Sequence, residues 1–364
     1  MNRTYTTYNN NLLYIGFNQN SSCFCVGTEK GFNIYKSSPL NDFYIKDMKG
    51  GIGFISMFDN SNILALVGGG KRPLAALNKL IIWNDATSKI LFEIEVDSRI
   101  LNVKIKKSLI AIIQKKKIKL YYYDSLENLF NYKNIDTIST PENRNGILGL
   151  NLSSNINIIS YISKNIGEIV IKIYDEFKKD KDINYKIKKI SAHQSEVTFM
   201  TLNNNGDMLA SCSEKGTIIR LFSTKTGNLI KELRRGTDYA EIYSLNFDKN
   251  SNYLICGSSK GTIHIFNVKE NEGIQNPKSF LSSIGSYLNI QSDYLKNEWS
   301  FSHYHIDIKG KYLVNFTDEN SFVIITDNGM YYRCIFYPSK GGECKTLQKN
   351  DFLFIELNED DFLV

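Results

Sequence analysis

The sequence predicts an all-β protein folded as a single seven-bladed β-propeller of the WD-repeat type. Two segments, residues 209–223 and 254–267, are similar in sequence, and their turn glycines Gly216 and Gly261 are 45 residues apart. That spacing matches one four-stranded propeller blade, which takes about 40–45 residues. Few stretches of the 364 residues have a helical pattern, so the chain lacks the helices that an α/β protein places between its strands.

Five further segments contain weaker copies of the same unit. Each copy is a short apolar strand, a turn with Gly, Asn or Lys, and a second strand, which is typical of a hairpin. The five copies are residues 25–35, 64–84, 109–122, 158–174 and 312–326. Their strands are rich in Ile, Val, Tyr and Phe, the residues that pleated surfaces favour. Seven units fit the length, and we predict one domain over residues 1–364.

The segment 269–298 interrupts the sixth blade and is long for a loop in a compact domain. On a helix, five of its apolar residues would form one stripe: Phe280, Leu281, Ile284, Tyr287 and Leu288. Such an amphipathic stretch can lie in a bilayer interface. We predict a membrane-contacting loop. A loop helix packed on the propeller, or one held in the groove of a protein partner, is the alternative.

Charge and composition narrow the function classes. The net charge of +6 is mildly basic, whereas a nucleic-acid binder usually has a denser basic face. The Lys-rich stretches 115–119 and 186–189 alternate with Ile, which indicates outward faces of strands, so we predict no nucleic-acid partner. No secretory signal is visible, and no run approaches the ~18 apolar residues of a membrane span, so any membrane contact should be peripheral. Residues 358–364 form a predicted acidic tail.

Nothing in the sequence indicates an enzyme or a metal protein. The chain has no Gly-x-Ser-x-Gly elbow, metal-binding His cluster or P-loop. Cys23 and Cys25 lack a matching Cys or His pair at zinc spacing, and the six cysteines are expected to be reduced thiols. His303 and His305 are expected to point outward from one strand. We predict no cofactor and no metal.

Two adjacent arginines, Arg234 and Arg235, lie between the two most similar segments. Neighbouring residues of a strand point to opposite faces, so the pair can send one guanidinium toward each repeat. A guanidinium binds phosphate through two parallel hydrogen bonds. The arrangement predicts two phosphate pockets on one rim of the protein.

The motif Leu233-Arg-Arg-Gly236 resembles the signature of the PROPPIN (WIPI) family. Further segments that resemble the family are residues 67–73, 78–83, 192–197, 213–218 and 298–302. The resemblance implies a seven-bladed propeller that binds phosphatidylinositol 3-phosphate and phosphatidylinositol 3,5-bisphosphate and acts in autophagy. The second-blade match is similar to the shorter branch of the family, which is associated with the bridge-like lipid-transfer protein of autophagy. The sequence departs from that branch at Ala75 and Ala76, which stand where the branch usually has prolines.

The resemblance also assigns one arginine to each pocket, which spacing alone cannot do. The first pocket would combine Arg234 with residues of the fifth blade, namely His193, Ser213, Lys215, Thr217 and Arg220. The second would combine Arg235 with residues of the sixth, namely Ser258, Ser259, Lys260, Thr262 and His264. Hydroxyls and backbone N–H groups near a turn glycine bind phosphate oxygens, and the cations balance the charge.

These observations predict a peripheral membrane effector, monomeric in solution, that reads 3-phosphorylated lipids and recruits other factors. The resemblance points to the cytoplasmic side of autophagosome precursors and of endosome or vacuole membranes. The richness in Asn, Lys, Ile and Tyr is typical of an AT-rich genome, and in a plastid-bearing parasite the plastid membrane would be a further candidate. A protein-only WD-repeat scaffold is the alternative, although it does not explain the arginine pair.

Overall fold

The computed structural model describes residues 12–40, 43–123, 132–152, 156–175, 184–269, 275–278, 297–307 and 310–353. Within these ranges the chain forms strands and turns, without a helix. The predicted membrane-contact residues Phe280, Leu281, Ile284, Tyr287 and Leu288, and the predicted acidic tail at 358–364, lie outside the described residues.

The strands form seven sheets, one for each predicted blade, and consecutive strands among the first four of each blade pair antiparallel. Blade one consists of β1 (Leu12–Phe17), β2 (Cys23–Thr28), β3 (Gly31–Lys36) and β4 (Phe43–Asp47). Blade two consists of β5 (Ile52–Met57), β6 (Ile63–Gly68), β7 (Lys79–Asn84) and β8 (Lys89–Glu95). Blade three consists of β9 (Ile100–Lys106), β10 (Leu109–Gln114), β11 (Lys117–Tyr123) and β12 (Tyr132–Ser139). Blade four consists of β13 (Gly149–Leu150), β14 (Asn157–Ile162), β15 (Glu168–Tyr174) and β16 (Tyr185–Ser191).

Two of the remaining three blades carry a fifth strand. Blade five consists of β17 (Val197–Leu202), β18 (Met208–Ser213), β19 (Ile218–Ser223), β20 (Leu229–Arg234) and the added β24 (Glu298–Trp299). Blade six consists of β21 (Ile242–Phe247), β22 (Tyr253–Ser258), β23 (Thr262–Asn267), β25 (Ser302–His305) and the added β29 (Gly342–Glu343). Blade seven consists of β26 (Tyr312–Phe316), β27 (Ser321–Thr326), β28 (Met330–Ile335) and β30 (Lys345–Asp351). The predicted seven-bladed propeller is confirmed.

Burial follows the position of each strand in its blade. The first strands line a central cavity of about 1690 Å³. Middle strands such as β6 and β10 are almost entirely apolar and are buried throughout, because both of their faces pack against neighbouring blades. Outer strands such as β8 and β16 are mostly exposed or half-buried, with one buried residue each, Ile94 and Ile190. The ring closes where Phe24 and Tyr35 of blade one pack with Tyr331 of blade seven.

The repeat glycines occupy equivalent turns in blades five and six. Gly216 (φ +62°) and Gly261 (φ +74°) both adopt the left-handed conformation that favours glycine. A Cβ at Gly216 would also collide with the Ala240 carbonyl. The 45-residue spacing therefore reflects one backbone requirement repeated in consecutive blades.

Two details differ from the sequence prediction. Six of the seven repeat copies correspond to the second and third strands of a blade, but the copy at 312–326 is β26 and β27, the first and second strands of blade seven. The segment 298–302 resembles the family's strand that follows the long loop. In the structure, the outer strand of blade six is β25, which begins at Ser302 and pairs with β23, whereas β24 pairs in parallel with β20 of blade five.

Candidate functional site

The two adjacent arginines lie at the end of β20 and belong to opposite faces of blade five. Leu233 packs between blades five and six, in one cluster with Leu245 and Cys256. Arg234 must face the other way because side chains alternate along a strand, and Arg235, just after the strand, returns to the side of blade six. Neither arginine is among the residues that line the central cavity.

The Arg234 guanidinium lies beside β24. Arg234 is the pairing partner of Trp299 in the parallel pair of β20 and β24. The Cζ atom of Arg234 is 6.0 Å from the centre of the Trp299 ring. With the Asn297 amide oriented to satisfy both of its neighbours, the amide oxygen accepts from Arg234 Nη2 at 2.7 Å and from Nε at 3.3 Å. The amide nitrogen then donates to Glu232 Oε2 at 2.9 Å. Arg234 Nη1 also donates to the carbonyl of Gly236 at 3.5 Å.

Arg220 and His193 lie on the same side of blade five as Arg234. Arg220 is paired with Glu232 across the sheet, and its Nε is 2.5 Å from Glu232 Oε1. Its Nη1 donates to the carbonyl of Ala192, between blades four and five, at 2.7 Å. His193 contacts Ser211 Oγ through Nε2 at 2.9 Å. The structure thus brings three of the predicted first-pocket residues to one sheet face, and it adds a carboxylate, Glu232, that partly neutralises them.

The other predicted first-pocket residues lie at the β18–β19 turn. Ser213 is half-buried at the end of β18, Lys215 is exposed at the tip and Thr217 is half-buried. The carbonyl of Thr217 accepts from the backbone N–H of Arg235 at 2.9 Å. The turn is therefore held against the arginine pair through its main chain, which leaves the Lys215 side chain in solvent.

Arg235 is 4% exposed and is held by main-chain oxygens. Its Nε donates to the Gly216 carbonyl at 2.8 Å, and its Nη2 donates to the Asp238 carbonyl. Burial lowers the pKa of Arg235. Its charge acts on blade six, where it contributes to lowering the pKa of His264.

Apart from Arg235, the predicted second-pocket residues form two groups, one on a face of the blade-six sheet and one at the tip of a turn. His264 lies opposite Cys256 on β22, and its Nδ1 is 2.9 Å from Ser300 Oγ. Ser258 is fully buried, and its Oγ has no hydrogen-bond partner among the described residues. Thr262 is half-buried opposite His305. These three side chains belong to the same face of the sheet.

Ser259 and Lys260 form the tip of the β22–β23 turn. The Ser259 hydroxyl accepts from the backbone N–H of Glu241 at 3.1 Å, which links this turn to the residue that precedes β21. Lys260 is exposed. The exposed Ser259 hydroxyl keeps its own proton to donate to an incoming oxygen atom, whereas the Ser258 hydroxyl is fully buried.

Both pocket histidines are neutral at pH 7. Burial, followed by the charge of Arg220, lowers the pKa of His193 to about 4. Burial, followed by the charge of Arg235, lowers the pKa of His264 to about 4. A neutral imidazole can donate one hydrogen bond and accept another, and an added anion would favour its protonated form.

Four residues of these surroundings were missed from the sequence: Ser211, Glu232, Asn297 and Trp299. Ser211 and Glu232 share the two-residue period of Ser213 and Arg234, so strand alternation could have identified them. No local pattern indicates Asn297 or Trp299, because they reach Arg234 only through the pairing of β24 with blade five.

The other residues considered in the sequence are the cysteines, the two histidines of β25 and the basic stretches. The six cysteines are free thiols, and His303 and His305 are exposed on β25. Lys117 and Lys119 of the basic stretch pair with Asp97. Across the described residues, no group of three or more His, Cys, Asp or Glu could hold a metal ion. In the same ranges, no helix has the length and apolar character to span a membrane.

Known proteins resemble this chain in sequence and in fold. The family model described as PROPPIN matches residues 11–353. The SVP1-like protein 2 of Pichia angusta is 32% identical over 304 residues, covering 82% of this chain and 81% of the relative. The Autophagy-related protein 18e of Arabidopsis thaliana is 29% identical over 351 residues, covering 95% and 89%. The structure of Kluyveromyces lactis Hsv2 with a complete loop 6CD superposes with a TM-score of 0.74 at 22% identity, covering 94% of this chain and 99% of that one.

Proposed function

This chain belongs to the PROPPIN family, and from that premise we propose that it binds phosphatidylinositol 3-phosphate and phosphatidylinositol 3,5-bisphosphate through two headgroup pockets. One observation carries the proposal: the adjacent arginines at the end of β20 face opposite sides of blade five, and each has a neutral histidine on its own side. A guanidinium and an imidazole on one sheet face are suited to phosphate oxygens. The match to the family model and the similarity to an autophagy-related relative support a role in autophagy.

The two pockets differ in their electrostatic environment. In the first pocket, Arg220 is already paired with Glu232, so Arg234 and the exposed Lys215 supply most of the charge available to a phosphate. In the second, Arg235 acts together with the exposed Lys260, and the exposed Ser259 hydroxyl offers a further donor. A phosphate in the second pocket would have to compete with the main-chain carbonyls that hold Arg235.

Two pockets on one protein bind a membrane more tightly than either pocket alone. A Lys or Arg near an anionic surface contributes about 1 kcal/mol, which is weak for a single site. Linked sites raise the overall affinity by roughly 10²–10⁴ over either one. With the 269–298 segment as a third contact, the protein would act as a non-catalytic, peripheral reader of 3-phosphorylated lipids at autophagosome precursors and at endosome or vacuole membranes. There it would recruit protein partners, the bridge-like lipid-transfer protein of autophagy among them.

Liposome flotation across the set of phosphoinositides tests the proposal. The wild-type protein should float with vesicles that contain either 3-phosphorylated lipid, and Arg234→Thr with Arg235→Thr should abolish flotation while the propeller stays folded. Lys186→Thr with Lys189→Thr removes the same charge from the exposed strand β16 and should leave flotation nearly unchanged. Flotation of the arginine double variant at the wild-type level would refute the proposal and leave a protein-only scaffold as the better account.

A further inference from the structure

The end of the long sixth-blade segment is fixed to blade five, beside Arg234. β24 adds to the edge of β20 with Glu298 opposite Leu233 and Trp299 opposite Arg234. The backbone N–H of Trp299 donates to the Pro277 carbonyl at 2.7 Å, and Glu298 Oε2 accepts from Asn276 Nδ2 at 2.8 Å. The chain on both sides of the segment 279–296 thus meets at this point.

Arg234 is held by this returning chain on two sides. The buried Asn297 amide accepts from both its Nε and its Nη2, and the Trp299 ring lies 6.0 Å from its Cζ. Asn297 is itself oriented by Glu232, whose other carboxylate oxygen binds Arg220. A guanidinium held through its Nε edge keeps its Nη groups directed along a defined line, so these contacts fix the orientation of the Arg234 fork.

We propose that Asn297 and Trp299 are positioning residues of the first pocket, which orient Arg234 for a phosphate and make binding there depend on the seating of β24 on blade five. The inference rests on the proposed function, since it deepens the account of one of the two headgroup pockets. Arg235 is held instead by the carbonyls of Gly216 and Asp238, within blade five and the connection that follows it. Only the first pocket should therefore depend on β24.

Calorimetric titration with the soluble headgroup inositol 1,3-bisphosphate tests this role. The wild-type protein should bind two headgroups. Asn297→Ala should weaken one of the two sites about tenfold, as expected for the loss of charge-assisted hydrogen bonds that orient a ligand, and should leave the other unchanged. The unchanged site serves as an internal control for folding. Asn143→Ala removes a buried amide from the connection between blades three and four, far from β24, and should leave both affinities near wild type.

A double-mutant cycle separates positioning from a general structural effect. Combined with Arg234→Lys, which keeps the charge but lacks the planar fork that Asn297 orients, Asn297→Ala should cause no further loss of headgroup binding. An equal loss in the presence and absence of Arg234 would overturn the proposal, as would unchanged affinities in Asn297→Ala alone. If Asn297→Ala does not fold, Trp299→Leu takes its place, and Trp299→Phe should restore binding by providing an aromatic face for the guanidinium. A wild-type protein that binds no headgroup at all would refute the proposed function itself, and with it the positioning role.

Discussion

Tyr312 of blade seven binds both main-chain groups of Ser258 in blade six. Its Oη donates to the Ser258 carbonyl at 2.9 Å and accepts from the Ser258 N–H at 3.0 Å. Ser258 belongs to the proposed second pocket, and both residues are buried. The Tyr312 hydroxyl therefore joins blades six and seven at a residue of that pocket.

Tyr312→Phe should lower the free energy of unfolding by about 1–3 kcal/mol, because it leaves a buried N–H and a buried carbonyl without this partner. It should also weaken the second headgroup site and spare the first. Urea unfolding and headgroup titration measure the two effects. Tyr304→Phe is the matched control, since the Tyr304 hydroxyl contacts the exposed Thr346 hydroxyl and the Cys334 thiol but no main-chain group among the described hydrogen bonds, and its cost should stay within about 0.5 kcal/mol. Equal costs for both variants would contradict the prediction.

The two pocket histidines should make the protein less stable in mild acid. Their pKa values are about 4 in the folded chain, against an ordinary value of 6.5. The unfolded chain therefore binds more protons than the folded one between pH 6.5 and 4, and stability falls as the pH decreases through that window. Each histidine should cost about 1–2 kcal/mol between pH 7 and pH 5.

Chemical unfolding at a series of pH values measures this loss. His193→Gln and His264→Gln should each flatten the curve, and the two together should flatten it further. His305→Gln is the matched control, because that side chain is exposed on β25 and its loss should leave the curve unchanged. A double variant with the wild-type pH dependence would show that other groups cause the loss.

The blades could be predicted because they depend on local patterns. Paired apolar strands around a turn, as at Gly216 and Gly261, identify a hairpin wherever it occurs in the chain. The opposite faces of Arg234 and Arg235 likewise follow from strand alternation alone. In blade seven the same reasoning selected the first hairpin instead of the second, because β26, β27 and β28 are similarly apolar and turn chemistry does not distinguish them.

The pairing of β24 could not be predicted because it joins residues that are 65 positions apart in sequence, Leu233 and Glu298. Two residues in a parallel bridge carry no periodic signal of their own. The arginine motif contains cations only, so it does not indicate that Glu232 partly neutralises Arg220. The environment of Arg234 thus depends on tertiary contacts, whereas its direction depends on the local sequence.

The single arginine variants should separate the two pockets. Arg234→Thr should abolish the first headgroup site and Arg235→Thr the second, each reducing the stoichiometry of soluble headgroup binding from two to one. Vesicle binding by either variant should fall roughly 100-fold, since avidity between linked sites is lost while one site remains. Lys186→Thr controls for the loss of one positive charge. A single variant that loses both sites would indicate one shared pocket rather than two.

The apolar stripe of the 269–298 segment should act on membranes and not on headgroups. Phe280→Asp with Leu288→Asp places two carboxylates on the stripe, which should shorten the residence time on vesicles because charged groups are costly to bury in a bilayer interface. Binding of soluble inositol 1,3-bisphosphate should stay at the wild-type level. Ser282→Asp with Ser286→Asp adds the same charge away from the stripe and should reduce vesicle residence much less. If the stripe variant loses headgroup binding as well, the segment is a packed part of the propeller, and the membrane-contact prediction is wrong.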